Sequence, residues 1–419
     1  MDSRREMKMN NQNKMNLSHM KFKRTAAMLV LGVLLTMIFS LSALAAPKAP
    51  GAPSGLKQIS ASDRSVKIVW NQVMGSRIRY EVQYSQDNRN WYSLGYTTST
   101  PESSKSGLTP GMTYYFRVRA YESNYPDDVY GPWSAATSTV TTPAQIPYQK
   151  VIQTNAGTSN VTLQWDKSAG ATGYNIYQIE SSQEVFVGKT AANTYVVNNL
   201  KAGKTYKYKV YPERSAGGYT AVTSYGTTVY DVKTVPSSVK NINTDYGYTS
   251  LKKASVQWEK VENANGYEIA LYTLKNKKIG STRALNYNSY TFSGIKKNFY
   301  KVKVRAYIQL KTGKKYSSWS TAYIAIQPKV EGKKSGTGIK VSWDKIYGAT
   351  NYTVYISSKR SSGYKKVTTT KSSSATIKKY GSSKLKKGRT YYVYVVANKK
   401  VGKYTYRSSD NYTYQVRFK

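Results

Sequence analysis

In residues 329–419, three tyrosines and a series of adjacent bases have the composition of a binding surface. Tyr355, Tyr392 and Tyr394 lie among Lys359-Arg360, Lys365-Lys366, Lys378-Lys379, Lys386-Lys387 and Lys399-Lys400, with Lys403 close behind. Aromatic faces surrounded by cations suit sugar rings bearing phosphate or carboxylate, and suit single-stranded nucleic acid equally well. The competing reading is structural: tyrosine favours strands, and paired lysines solubilise loops and protect sheet edges. Neither reading involves bond-making chemistry.

Catalysis has little to work with. The chain has no cysteine, and its single histidine, His19, falls in a segment expected to be removed. The commonest general base, the commonest zinc ligands and the thiol nucleophile are therefore missing together. Serines are plentiful, but no base is at hand to activate one. Neither a Gly-x-Ser-x-Gly motif nor a phosphate-binding glycine loop occurs. Asp127-Asp128 is the one adjacent acidic pair, in the loop Tyr125-Pro126-Asp127-Asp128-Val129. Two carboxylates from one tip could help ligate calcium or orient a sugar hydroxyl, yet without Asp-x-Asp spacing or a glycine turn they make a poor cage. A solvated turn is the expected state. Asp166 and Asp344, each directly after a tryptophan, read as turn formers at strand ends. The expectation is a non-enzyme without cofactor or metal.

The elements that would position such residues are set by a repeat. Trp70, Trp165, Trp258 and Trp343 recur at intervals of 95, 93 and 85 residues. Each ends an alternating stretch: Val66-x-Ile68-x-Trp70, Val161-x-Leu163-x-Trp165, Val256-x-Trp258 and Ile339-x-Val341-x-Trp343. Alternation with β-branched residues reads as a strand buried on one face. A Tyr-x-Val/Ile stretch begins nine or ten residues later, at Tyr80, Tyr174, Tyr267 and Tyr352. A period near 90 is too long for a solenoid unit and suits a small sandwich domain. No helical periodicity is convincing beyond the leader. Proline-marked joints at 142–147, Val235-Pro236 and Gln327-Pro328 predict a semi-extended row of domains at 46–143, 144–236, 237–328 and 329–419.

The set of motifs resembles the fibronectin type III module in four copies over nearly all of residues 50–419. It includes the first tryptophan strand, the following tyrosine strand and the corner Leu-x-x-Gly-x-x-Tyr at Leu108, Leu200 and Leu385. The resemblance implies that the corner tyrosine's hydroxyl ties the turn to nearby backbone. It further implies that Gly131-Pro132-Trp133-Ser134 and Ser317-Ser318-Trp319-Ser320 begin the last strand. The third copy departs by lacking the corner glycine, reading Ile295-Lys-Lys-Asn298-Phe299-Tyr300, one residue shorter. The second and fourth lack the late tryptophan. The predicted class is all-β: four tandem fibronectin type III-like β-sandwiches after a cleaved signal peptide. In this architecture the strands beginning at Tyr352 and Tyr391 share a sheet. Burying Tyr391, Val393 and Val395 then turns Tyr392 and Tyr394 outward beside Tyr355, as one exposed aromatic cluster.

Residues 1–45 read as a leader. Lys21, Lys23 and Arg24 precede an apolar run at 26–39, which ends in Ser40-Leu41-Ser42-Ala43-Leu44-Ala45. That is a basic start, an apolar stretch short for a span and an A-x-A-type cleavage site, with translation expected from Met20. An uncleaved anchor is the alternative. No later apolar run reaches the roughly 20 residues of a spanning helix. The formal net charge is +43, and it is graded along the chain. Residues 46–143 hold 10 Lys+Arg and 7 Asp+Glu, and 144–236 hold 9 and 5. Residues 237–328 hold 16 and 4, and 329–419 hold 22 and 3. An excess of 19 on so short a stretch attracts polyanions in a salt-dependent way. The leading expectation is a secreted or envelope binding protein whose basic end docks on an anionic wall or extracellular polymer. A carbohydrate-binding accessory and a protein–protein adhesin acting through loops 122–131 or 212–219 are the alternatives, and nucleic acid remains chemically permitted.

Overall fold

Alternating apolar stretches become strands wherever the period-2 pattern holds. The computed structural model describes residues 9–11, 15, 20–21, 48–97, 99–124, 126–244, 251–408 and 410–419. The leader's apolar run and cleavage motif, and Tyr125 of the acidic loop, lie outside them. The architecture is all-β, and among the described residues no helix is long and apolar enough to cross a membrane.

Two compact units divide the chain, Met1–Thr141 with Ser215–Ala221, and Thr142–Arg214 with Val222–Lys419. The first unit holds one sandwich. Lys57–Ala61, Val66–Val69 and Glu102–Lys105 form one sheet in that order. The other runs Tyr92–Thr97, Ile78–Ser85, Thr113–Glu122, Val129–Trp133, with Thr137–Val140 also paired to Thr113–Glu122. Val66, Ile68, Trp70, Tyr80, Val82, Phe116 and Val118 fill the space between.

The second unit repeats the plan three times. The fourth repeat shows it fully: Val330–Ser335, Gly338–Trp343 and Ser374–Ile377 make one sheet. Lys365–Thr370, Asn351–Ser357, Thr390–Val401 and Tyr404–Arg407 make the other, with Tyr414–Arg417 on Thr390–Val401. In each repeat the strand that opens near Tyr80, Tyr174, Tyr267 or Tyr352 is here termed the tyrosine strand. Its neighbour, beginning near Thr113, Thr205, Tyr300 or Thr390, is the corner strand.

The repeated tryptophans are core residues, and each packs against its strand tyrosine at ring centroid distances of 5.2, 5.2, 5.3 and 5.6 Å. That tyrosine is fixed at its other end, because its hydroxyl accepts the backbone N–H of Val73, Ser168, Val261 or Ile346 at 2.8–3.0 Å. A large ring and a satisfied polar tip thus fix the inter-sheet turn in every repeat.

The corner works as the resemblance implies. Thr109, Lys201 and Lys386 donate their backbone N–H to the hydroxyls of Tyr114, Tyr206 and Tyr391 at 2.9, 2.8 and 3.0 Å. Gly111, Gly203 and Gly388 turn the chain at φ of 65°, 65° and 78°, a region that glycine enters without steric cost. In the third repeat the shorter corner still closes, with Lys296 N–H on the Tyr300 hydroxyl at 3.1 Å. Its missing residue has a structural counterpart. The turn bonds to the fourth repeat through Phe299 N–H on Tyr347 O and Tyr347 N–H on Lys297 O, both 2.9 Å. Phe299 is fully buried there.

That contact belongs to a larger difference from the expected row of linked domains. The cores of the third and fourth repeats are one continuous apolar cluster. Ala325, Ile326, Gln327 and Val330 are buried at the joint, with Pro328. The Gln327 amide bonds both backbone groups of Tyr412, at 2.5 and 2.6 Å. Apolar residues flank the proline, so burial wins over a solvated linker. The second repeat meets the third through a smaller cluster of Ala156, Val235, Ile308 and Leu310.

Candidate binding face

The outward positions of the tyrosine and corner strands are directly comparable in all four repeats. In the first, Arg117 lies between the rings of Trp91 and Trp133 at 4.3 and 4.5 Å. Arg119 lies between Tyr130 and Trp133 at 4.3 and 4.6 Å and pairs with Glu81 at 2.6 Å. Burial, then the charge of Arg119, lowers the Arg117 pKa. In the second, Glu184 accepts from Lys209 at 2.8 Å and from the Tyr211 hydroxyl at 2.7 Å, and the Lys209 bond holds its carboxyl below the usual range. In the third, Arg305 forks onto Glu268 at 2.6 and 3.0 Å and lies 3.6 Å from the Tyr316 ring centroid and 4.4 Å from that of Trp319. Each of these faces joins a base to a carboxylate and an aromatic ring.

The fourth face is different. Thr353 stands where Glu81 and Glu268 stand, and Val396 stands where Arg119 and Arg305 stand. Tyr355 and Tyr394, opposite one another in register, stack at 4.8 Å with their planes 19° apart. Tyr364 then packs edge-on against Tyr394 at 4.7 Å, its hydroxyl held by Arg360 O at 2.7 Å. Tyr392 shares the face opposite Ser357 but makes no ring contact among the described residues.

The structure therefore brings Tyr355 and Tyr394 together but corrects the expected exposure. The rings are half-buried, and Tyr364, from the loop after the tyrosine strand, packs over that of Tyr394. Burial, with Asp410 adding to it, pushes the Tyr394 phenol up to about 12. Alternation could not reveal Tyr364, which lies outside any strand.

The bases surround this patch. Lys359, Arg360, Lys365, Lys366, Lys386, Lys387 and Lys400 are exposed, and none forms an ion pair among the described residues. Lys366 lies opposite Tyr355 in register, and the Lys365 Nζ is 5.5 Å from the Tyr380 ring. Lys399 is the exception. It is half-buried, donates to Gly348 O at 3.2 Å and lies 5.7 Å from the Tyr323 ring of the third repeat. Burial and the charge of Lys301 lower its pKa. Lys399 braces the joint and does not belong to the rim of the patch.

Asp127 and Asp128 are exposed on a shallow groove with Ser123, Asn124, Pro126 and Tyr130. Among the described residues, no cluster of three or more acidic, histidine or cysteine side chains could hold a metal. Of the late tryptophans, Trp319 leads into the last strand of its repeat as expected, and Trp133 does not. Trp133 closes the strand Val129–Trp133, whereas Trp319 directly precedes Ser320–Ile324.

The Fibronectin type III domain family matches residues 51–140 and 146–229. These two segments are fibronectin type III domains. Among curated proteins, the chain is similar to a Kelch domain-containing protein of Saccharolobus solfataricus, 28% identical over 39% of this chain and 22% of that protein. It is similar to endoglucanase B of Cellulomonas fimi, 31% identical over 33% of this chain and 14% of the enzyme. Exoglucanase B of the same species is 26% identical over 46% of this chain and 18% of the enzyme. The chain spans less than a quarter of the length of these relatives. On the outward faces of the two matched fibronectin type III domains, Arg119 is engaged by Glu81 and Lys209 by Glu184.

Proposed function

We propose that this is a non-catalytic secreted or cell-envelope protein. Residues 46–143 and 144–236 act as spacers, and the repeats at 237–328 and 329–419 dock on an anionic polymer such as a teichoic-acid-bearing wall or an acidic polysaccharide. The observation that carries the reading is the fate of the few acids in the basic half. Glu262 pairs with Lys204, Glu268 with Arg305, Glu331 with Lys329 and Asp344 with Lys297. Apart from Lys329, the exposed bases of the fourth repeat form no ion pair among the described residues. Such a field concentrates polyanions over roughly a Debye length, about 8 Å at physiological salt. The similarity to short stretches of two bacterial glucanases supports an accessory role in an extracellular setting.

The test uses the full chain on immobilised poly(glycerol phosphate) across a salt gradient. Replacing Lys359, Lys365, Lys366, Lys386 and Lys387 with glutamine should move elution to lower salt and flatten the salt dependence. Unchanged elution, or retention indifferent to salt, would refute the reading.

The half-buried tyrosines favour a second reading, that of a carbohydrate-binding accessory. Tyr355 and Tyr394 stack on each other, which leaves less ring face for a sugar. This reading requires binding to a neutral glucan that survives salt and is lost in Tyr392→Ala and Tyr394→Ala.

A further inference from the structure

The first sheet of the fourth repeat holds an arrangement that the first sheets of the other repeats do not show among the described residues. Lys333 and Lys340 lie directly opposite one another in the antiparallel register. Both are exposed, and both fall in the outward half of the alternation, since Ile339 and Val341 on either side of Lys340 are buried. Like charges placed directly opposite in an antiparallel pair destabilise it. No acid relieves them: among the described residues neither lysine has an ion-pair partner, and the nearby Glu331 carboxylate is bound by Lys329 at 3.0 Å.

The corresponding positions elsewhere are resolved. Three residues before the tryptophan of the first repeat, Lys67 pairs with Glu102 at 3.0 Å. The second repeat has Thr162 there, facing Asn155. In the third, the Ser255 and Thr291 hydroxyls are 2.8 Å apart. Among the described residues, only the first sheet of the fourth repeat places a second lysine opposite the first.

The pair lines a groove of about 550 Å³ at the sheet's outer edge. Tyr412 and Tyr414 line it too, and the Tyr414 hydroxyl donates to Gly332 O at 3.0 Å. Gly332 is what lets that ring approach, because a Cβ there would stand 3.1 Å from Val341 and 3.2 Å from the Tyr414 ring. Ser342 and the Lys329–Glu331 pair complete the polar lining. The groove therefore offers two free ammonium groups, phenol rings and a carboxylate able to accept a sugar hydroxyl.

We infer that this groove is a subsite for an anionic sugar unit, its phosphate or carboxylate between Lys333 and Lys340 and its ring against Tyr412 and Tyr414. The inference rests on the proposed docking to an anionic polymer and assigns it one place. An anion there turns a repulsive pair into two charge-assisted contacts. Occupancy should accordingly stabilise the fold by mass action.

The experiment measures binding of the full chain to polygalacturonate and to a phosphomannan by calorimetry. Lys333→Ser/Lys340→Ser is compared with Lys386→Ser/Lys387→Ser, which removes the same charge from the corner turn. The groove variant should lose about tenfold in affinity, and the corner variant about threefold or less. Without ligand, the groove variant's melting midpoint should match or exceed that of the parent, which shows that it folds. Ligand should raise the midpoint of the parent but hardly that of the groove variant. The two polymers distinguish carboxylate from phosphate as the source. Equal losses in both variants would overturn the groove while leaving electrostatic docking in place. No loss in either would overturn both, and single-stranded DNA binding tighter than both glycans would overturn the ligand class.

Discussion

The outer faces of the third and fourth repeats use one scaffold in two ways. In the third, Arg305 is locked by Glu268, Tyr316 and Trp319, so its charge is engaged within the fold. In the fourth, Thr353 and Val396 occupy those places, and the face is closed by Tyr355, Tyr394 and Tyr364. Cohesion there comes from ring stacking, and the bases move to the rim, where they form no ion pair among the described residues. The more basic repeat is thus the one whose sheet depends least on charge.

Glu268→Ala should break this comparison most severely. It leaves Arg305 three-quarters covered without its carboxylate and frees the Tyr316 hydroxyl bond of 2.9 Å. A loss of about 2–3 kcal/mol is expected in denaturant unfolding, against less than about 1 kcal/mol for Thr353→Ala. Equal losses would erase the distinction. Tyr394→Ala should cost the fourth repeat about 1.5–2 kcal/mol by removing two ring contacts. A change below about 0.5 kcal/mol would mean that stacking does not hold that face.

Alkaline titration sharpens the contrast further. The Tyr394 phenol is raised from 10.0 to about 12, first by burial. Its neutral form is favoured in the folded state, so its contribution is complete below pH 10 and is lost as pH rises towards 12. Ultraviolet titration should show a late-ionising phenol that disappears in Tyr394→Phe. The smallest effect belongs to the rim. Lys359→Gln or Lys386→Gln should shift unfolding by less than about 0.5 kcal/mol, because each is exposed and unpaired.

Much of the fold could be read from alternation. Val66, Ile68 and Trp70, and their counterparts at 161–165 and 339–343, are buried as the period-2 pattern requires. The corner tyrosines were legible because the motif specifies a local hydrogen bond. The binding face was legible only by direction: Tyr355 and Tyr394 do face outward together, but Tyr364, which packs against Tyr394, comes from a loop with no periodicity. Lys399 was misplaced for a related reason, since its partner Tyr323 belongs to another repeat. The opposition of Lys333 and Lys340 depends on strand register, which composition does not report. The shortened corner of the third repeat was visible as an anomaly, but its meaning required the fourth repeat beside it.

That corner has a mechanical consequence. If the last repeat is held by a polymer and the rest of the chain is pulled, tension crosses the joint at Phe299, Tyr347 and Gln327. Separate beads on a string would yield one at a time. A shared core and an interlocked turn instead make the third and fourth repeats resist as one element, so a pulling trace should show a single extension step near twice the length of one repeat.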